Sequence, residues 1–409
     1  MRLLSSTPFW PIRDGLPADY PALVEDATCD VAILGAGISG ALAAWHLTQA
    51  GVDAIVIDRR DVAHGSTAGS TSLLQYEIDE PLHRLAERFG SARAVRCYRR
   101  CRDAITAIER LARGLRLDCD FQRKRSLFLA SGRAHLPRLR REYDARRAAG
   151  FAVEWWPRAK LAAASTLPYP AGILSQDGGQ LDSYRFTHGL LAAARRAGAR
   201  IHDRTAVTRT RFRARGVELR TSGGACIRAR HLVAATGYEA ESFLPARMTA
   251  LHSTYALVSE PLPAFPGWPA NRCLIWETAD PYVYLRTTSD DRVIIGGYDE
   301  PFSDPVARDR LLAAKTAALR RRFRQLFPRI ALEPAYAWAG TFAKTADGLP
   351  YIGRHPAVPH TWFALGYGGN GITYSLLAAE YIRDQVLGRP NADAELFGFG
   401  RAGPGRRQF

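Results

Sequence analysis

The run 30–60, DVAILGAGISGALAAWHLTQAGVDAIVIDRR, limits what this chain can fold into more than any other stretch. An apolar strand over 31–34 runs into Gly35-Ala36-Gly37-Ile38-Ser39-Gly40, then a helical pattern, then a second strand ending at Asp58. Each residue type meets a physical need. Gly35 permits the tight turn, Gly37 lets a pyrophosphate approach the backbone, and Gly40 lets the helix pack against the strand. The first turn of the new helix offers free N–H groups and a partial positive charge to a phosphate. Asp58 follows Gly40 by 18 positions, where a carboxylate accepts hydrogen bonds from an adenosine ribose. A plain glycine turn would leave Asp58 without a purpose, so the run reads as a dinucleotide cradle.

A chain of 409 residues suits two domains sharing an interface. With 47% hydrophobic and 23% charged residues the composition is that of a globular protein. No apolar stretch approaches the roughly 20 residues that cross a bilayer. The opening segment MRLLSSTPFWPIRDG is broken by prolines and has no apolar core of a secretory signal, so the cytoplasm is the expected location. The six cysteines are scattered. Cys97 and Cys101 share a helical face, but no second Cys/His pair lies nearby, so the expectation is buried thiols and no metal. The net charge of +16 raises the question of nucleic acid. All the basic residues except Lys124, Lys160, Lys315 and Lys344 are arginine, and their clusters fall on helical patterns without interleaved aromatics, as solvated faces do.

A nicotinamide dehydrogenase would continue past Asp58 with further alternating strands and helices. This chain enters a Ser/Thr/Gly loop, GSTAGSTS at 65–72, and then long helical patterns over about 80–112 and 134–150. A new unit opens at Asp182, with a helix through Ala197, a short strand at 200–202, a hairpin pattern at 217–229 and a buried strand at 231–235 before Thr236-Gly237. Strand patterns fill 249–300, followed by a helix over about 304–326.

In order along the chain, ILGAGISG, VIDRR, GSTAGST, LVAATGYEA, TADGLPYIG and FALGYGGNGITYSLLAAEYIRDQVLG carry a resemblance to a known family. From residue 30 to about 388 the chain resembles the FAD-dependent oxidoreductases that include D-amino-acid oxidase, glycine and sarcosine oxidases and γ-glutamylputrescine oxidase. The resemblance implies an α/β (α+β) fold: a discontinuous Rossmann-like FAD-binding domain of the glutathione-reductase type, and a second, mainly antiparallel-sheet substrate domain roofing the flavin. The boundaries that follow are 24–80, 170–248 and 336–392 for the FAD-binding domain, 81–169 and 249–335 for the substrate domain, and 1–23 and 393–409 as terminal extensions.

It also implies the cofactor contacts. Gly35, Ala36, Gly37, Ile38, Ser39, Gly40, Asp58, Arg59 and Arg60 form the nucleotide cradle. Ser66, Thr67, Ser70 and Thr71 reach the pyrophosphate and the flavin edge, Val207 meets adenine, and Thr236 with Gly237 passes the pyrophosphate. Gly368, Gly369, Asn370, Gly371, Ile372 and Thr373 turn N–H groups and a helix dipole toward the pyrimidine end of the flavin. Gly340 stands where some sarcosine oxidases carry a flavin-linked cysteine. His46 and His64 are placed near the adenine side. FAD is therefore expected without a covalent bond.

The chemistry implied is hydride transfer from a carbon beside an amine nitrogen to flavin N5, giving an imine that water hydrolyses, with oxygen or a quinone as final acceptor. In the amino-acid oxidases a strand arginine clamps the substrate carboxylate. Phe342 stands at that position here, which points to an amine lacking the carboxylate. Lys344, Arg286, Tyr282 and Tyr255 are the candidate catalytic residues. Tyr282, Tyr284 and Arg286 share one strand face by the two-residue repeat, but that face is either a pocket wall or a wet surface. Trp276 and Glu277 are weaker cavity candidates. Two rival classes stay open: a flavoprotein acting on RNA, which salt-dependent binding to a polyanion column would reveal, and a flavin-binding protein that oxidises no amine.

Overall fold

The computed structural model describes residues 2–402. Its central sheet runs Tyr351–Arg354, Thr361–Leu365, Cys226–Ala234, Ala27–Leu34, Ala54–Ile57, Arg200–His202, parallel from the second strand onward. Ala27–Leu34 reads apolar at its end because both faces are covered. On one face lie three helices, Ile38–Thr48, Ser183–Arg196 and Gly371–Val386, sharing one core with Val31, Ile33 and Val56. On the other, the antiparallel strands Val207–Arg213 and Gly216–Thr221 pack Val217 and Leu219 against Ala32, Leu34, Ile55 and Ile57. The helix at 183 starts where it does because the Asp182 carboxylate accepts from the N–H groups of Tyr184 and Arg185. The expected hairpin and buried strand over 217–235 share one continuous strand, Cys226–Ala234, which pairs in parallel with Ala27–Leu34 from Ile227 onward; its other edge carries the hairpin along its first half and Thr361–Leu365 along its second.

The second sheet runs Leu4–Ser5, Pro334–Lys344, Ala250–Ser259, Val293–Glu300, Val283–Thr287, Leu274–Glu277, Gln122–Leu129, Ala171–Gln180, Leu73–Leu74, with Val153–Pro157 beside Ala171–Gln180. All its pairings are antiparallel except the one between Leu274–Glu277 and Gln122–Leu129. One face packs Tyr255, Leu257, Val283, Leu285 and Ile295 on Leu319, Phe323 and Leu326 of the helix Pro305–Leu326.

Sheet membership redraws the expected boundaries. Leu73–Leu74, Ala171–Gln180 and the strand Pro334–Lys344 from 336 onward pair in the second sheet, within ranges expected for the FAD-binding domain. Within the expected N-terminal extension, Leu4 and Ser5 pair with Gly340 and Ala339, and Phe9 and Trp10 are buried. Of the expected C-terminal extension, 403–409 lies outside the described residues. The helical pattern over 80–112 is two helices, Leu82–Phe89 and Ser91–Gly114, broken at Gly90 with φ +84°. Cys97 and Cys101 are buried free thiols within the core that includes Tyr374 and Leu377.

Candidate functional site

A cavity of about 1230 Å³ lies between the two sheets. Its floor is the parallel sheet's glycine turn. There the Gly35 φ is +101°, and a methyl group on Gly35 would overlap the carbonyl of Ala235. A methyl on Gly40 would overlap the Gly35 carbonyl, so neither position admits a side chain. Gly37 opens onto the cavity, with the Thr67 hydroxyl 3.0 Å from where its Cβ would stand and 3.0 Å from the Ile38 N–H, which donates to it. Asp58 sits at the strand end. Its Oδ2 accepts from Ala36 N at 2.8 Å and its Oδ1 from Arg60 N at 2.9 Å, while burial raises the carboxyl above its ordinary range.

Of the residues expected to hold the cofactor, Gly35, Gly37, Ile38, Ser39, Asp58, Arg59, Arg60, Ser66, Thr67, Ser70, Thr71, Val207, Thr236, Gly237, Gly340, Gly368, Gly369, Gly371 and Ile372 line this cavity. Ala36, Gly40, Asn370 and Thr373 stand behind the wall. Asn370 Nδ2 donates to the carbonyls of Gln75 and Glu77, and the Thr373 hydroxyl donates back to Asn370 O, so these two brace the loop that the glycines present. One donor of that loop is already engaged: Gly369 N–H reaches Asp79 Oδ2 at 3.0 Å. Two hydroxyl oxygens on the cavity wall, Thr236 Oγ1 and Thr249 Oγ1, are buried without a protein partner. Buried polar atoms of that kind call for a ligand's polar groups. A dinucleotide with several oxygens and ring nitrogens answers them, and the cradle fits one.

The comparisons agree with this geometry. Residues 30–385 match the family model described as FAD dependent oxidoreductase. The chain belongs to that family. The γ-glutamylputrescine oxidoreductase of Escherichia coli (strain K12) is 26% identical over 402 residues, 93% of this chain and 88% of its own length. The crystal structure of glycine oxidase from Geobacillus kaustophilus superposes with a TM-score of 0.78 at 24% identity, over 92% of this chain and 99% of that one. L-amino acid deaminase from Proteus vulgaris superposes at 0.75 and 17% identity, over 94% and 97%. The protein is thus an FAD-dependent oxidoreductase.

The candidate catalytic residues divide. Tyr282 lines the cavity together with Tyr284, their ring centroids 5.9 Å apart. Burial, then the carboxylates of Asp79 and Asp299, pushes the Tyr282 hydroxyl well up, so it stays protonated. Tyr255 is turned the other way. It follows Thr254, which does line the cavity, and the two-residue repeat sends it into the core against the helix Pro305–Leu326. Its hydroxyl has no hydrogen-bond partner there, and the Lys315 ammonium lies 5.3 Å from its ring centre.

Arg286 shares the tyrosines' face but lies beyond the cavity's end. Its Nη1 donates to the carbonyls of Leu181 (2.8 Å), Ser72 (2.9 Å) and Thr71 (3.2 Å), under the Trp10 ring. Burial draws the guanidinium down to about 9. It is a clamp on three backbone carbonyls, not a substrate contact. Arg286→Met would orphan the Leu181 and Thr71 carbonyls at about 1–3 kcal/mol each, while Ser72 O keeps the Leu181 N–H at 3.4 Å, and a melting temperature equal to wild type would contradict the assignment.

Lys344 ends its strand beside the cavity, not on its wall. Its Nζ is 4.0 Å from Asp299 Oδ2 and 5.4 Å from the Phe342 ring centre. Trp276 stacks on Phe128, and Glu277 accepts from Tyr169 and Arg322, so both are engaged away from the cavity. His46 and His64 do not line the cavity either: His46 is half-buried beside Arg383, and His64 rests against Tyr184. Neither histidine nor cysteine occurs among the lining residues.

Leu3, Leu4, Thr254, Ser183, Tyr238 and Asp299 also line the cavity and were not anticipated. Leu4 belongs to a two-residue strand, Leu4–Ser5, and Leu3 precedes it, a segment too short to show a repeat. Thr254 and Asp299 carry a signal only once the cavity-facing side of their strands is known.

Proposed function

We propose that this enzyme oxidises a C–N bond of an amine that lacks an α-carboxylate, giving an imine that hydrolyses, with non-covalent FAD as the first electron acceptor and oxygen or a quinone as the second. One observation carries the reading: no arginine from the strands roofing the cavity lines it. The arginines that do are Arg59, Arg60 and Arg209 by the nucleotide cradle and Arg247 in the exposed approach to Ala250–Ser259. On the strand Pro334–Lys344 the lining residues are Gly340, Thr341 and Phe342, and Phe342 faces His252 across a ring–ring distance of 5.5 Å. A carboxylate taken from water into this end would have no bidentate partner and would meet the Asp299 carboxylate, and an unpaired charge there is costly.

The bound flavin supplies the hydride acceptor. The chain's part is to orient and to dry the site. Tyr282, Tyr284 and Phe342 cover the roof with ring surface, and burial lifts the Tyr284 hydroxyl to about 12, so it remains a neutral donor. With no thiol or imidazole on the wall, acid precipitation is expected to release all the flavin into the supernatant.

Anaerobic mixing of the yellow protein with alkylamines, N-methylamines and D- and L-amino acids tests the proposal. Amines are expected to bleach the flavin and amino acids to do so poorly; the reverse ranking would refute it. Phe342→Arg restores a fork for a carboxylate and is expected to move the preference toward amino acids by about tenfold or more, as a bidentate charged pair supplies. An unchanged ranking at full flavin content would show that position 342 does not face the substrate.

A further inference from the structure

At the roofed end of the cavity the charges do not balance. Asp299 lines it with a side chain only 10% exposed. Its Oδ2 lies 4.0 Å from Lys344 Nζ, and its Oδ1 is buried with no hydrogen-bond partner. Asp79 stands close by. Its carboxylate reaches Gly369 N–H, and the Tyr282 hydroxyl is 3.4 Å from where a Cβ on Gly369 would stand. Burial raises the Asp79 carboxyl; Asp79 in turn makes the ionisation of Asp299 less favourable, and both oppose that of Tyr282. Asp280 adds to the same field; Lys344 and the Thr254 hydroxyl oppose it, while burial and Lys344 lower the His252 imidazole and so favour its neutral form. Burial lifts Asp299 only to about 6, so it is ionised at neutral pH.

A nitrogen about to lose hydride from its neighbouring carbon must be neutral, with its lone pair free. A carboxylate aimed at that nitrogen would hold it protonated and oppose the reaction. The acidic end therefore suits a second nitrogen that stays charged throughout. The Tyr282 and Tyr284 rings add two faces on which a cation is attracted. We infer that Asp299, backed by Asp79 and this ring pair, anchors a non-reacting ammonium, and that the substrates are diamines or longer polyamines. This rests on the amine-oxidation reading and narrows it.

The test uses the holoenzyme anaerobically with α,ω-diamines of three to five carbons, the matching n-alkylamines and the matching ω-amino acids. Rapid mixing separates Kd from the limiting rate of flavin bleaching. Diamines are expected to bind at least tenfold more tightly than alkylamines of equal length, and ω-amino acids more weakly than either. Asp299→Asn is expected to collapse that ratio tenfold or more, and Asp79→Asn to lower it less. Calorimetry with an n-alkyltrimethylammonium, which has no lone pair to oxidise, reads the anchor without turnover: it should bind the oxidised holoenzyme, and Asp299→Asn at full flavin content should abolish binding. Bleaching by amines without any preference for diamines, or a preference unchanged in Asp299→Asn, overturns the anchor and leaves amine oxidation standing. Failure of every amine to bleach the flavin removes both.

Discussion

Gly40→Ala is expected to yield a protein that folds but arrives nearly colourless. The added methyl would overlap the carbonyl oxygen of Gly35, a backbone atom with no rotamer to yield. Relief requires the helix Ile38–Thr48 to lift from the strand Ala27–Leu34, which costs about 1–3 kcal/mol as overpacking. The same movement drags the turn at Gly35 and Gly37 away from the position that presents N–H groups to the pyrophosphate. Far-ultraviolet circular dichroism should be close to wild type, while the flavin-to-protein absorbance ratio falls about tenfold, equivalent to about 1.4 kcal/mol of binding. A variant as yellow as wild type would show that the cradle holds nothing.

That prediction was readable from six residues, and the reason is local. The spacing of Gly35, Gly37 and Gly40 with Asp58 records constraints that act within one strand–turn–helix–strand unit, so it survives in the sequence. Constraints between distant segments leave no such record. The two-residue repeat grouped Tyr282, Tyr284 and Arg286 on one face correctly, but which side of the sheet meets ligand is decided by the helix Pro305–Leu326 covering the other. Tyr255 was misplaced for the same reason. Arg286 fails as a substrate contact because Thr71, Ser72 and Leu181, more than 100 positions away in sequence, supply the carbonyls it meets. Asp299 was missed because a strand-end carboxylate is ordinarily solvated; only the cavity at its side and the unmatched Oδ1 mark it out.

The largest loss of stability is expected from a residue that no motif indicates. Arg146→Met should destabilise the protein by about 3–5 kcal/mol, the usual consequence of removing one member of a buried ion cluster. Arg146 is 1% exposed, with Nε 2.6 Å from Glu142 Oε1 and Nη1 3.3 Å from Glu77 Oε1, among the rings of Tyr76, Tyr98 and Phe128. Methionine keeps much of the volume but leaves two carboxylates facing each other in the core. The pH dependence gives the signature. Burial alone would raise the Glu142 carboxyl, but Arg146, the His83 hydrogen bond and the Leu82 N–H hold it at about 2.

In the wild type this stabilisation is complete above the ordinary value of 4.5 and is lost as pH falls from there toward 2. Burial already raises the Glu77 carboxyl with Arg146 in place; without Arg146 the Glu142 carboxyl is raised as well, and Glu77 further. They then favour folding in their protonated form and penalise it as pH climbs through their raised values. The melting-temperature gap between wild type and variant should therefore be wide at pH 8 and narrow toward pH 5; a gap that stays constant would refute the account. Replacing Glu77 and Glu142 by Gln in the Arg146→Met background should recover much of the loss, since the offending charges go with it. The effect reaches the cofactor through one bond. The Glu77 carbonyl receives Asn370 Nδ2 at 2.9 Å, and Asn370 braces the glycine loop of the cavity wall. Heating the variant at pH 8 should release flavin fluorescence at a lower temperature than it unfolds the sheet, because the loop loses its brace before the strands lose their partners.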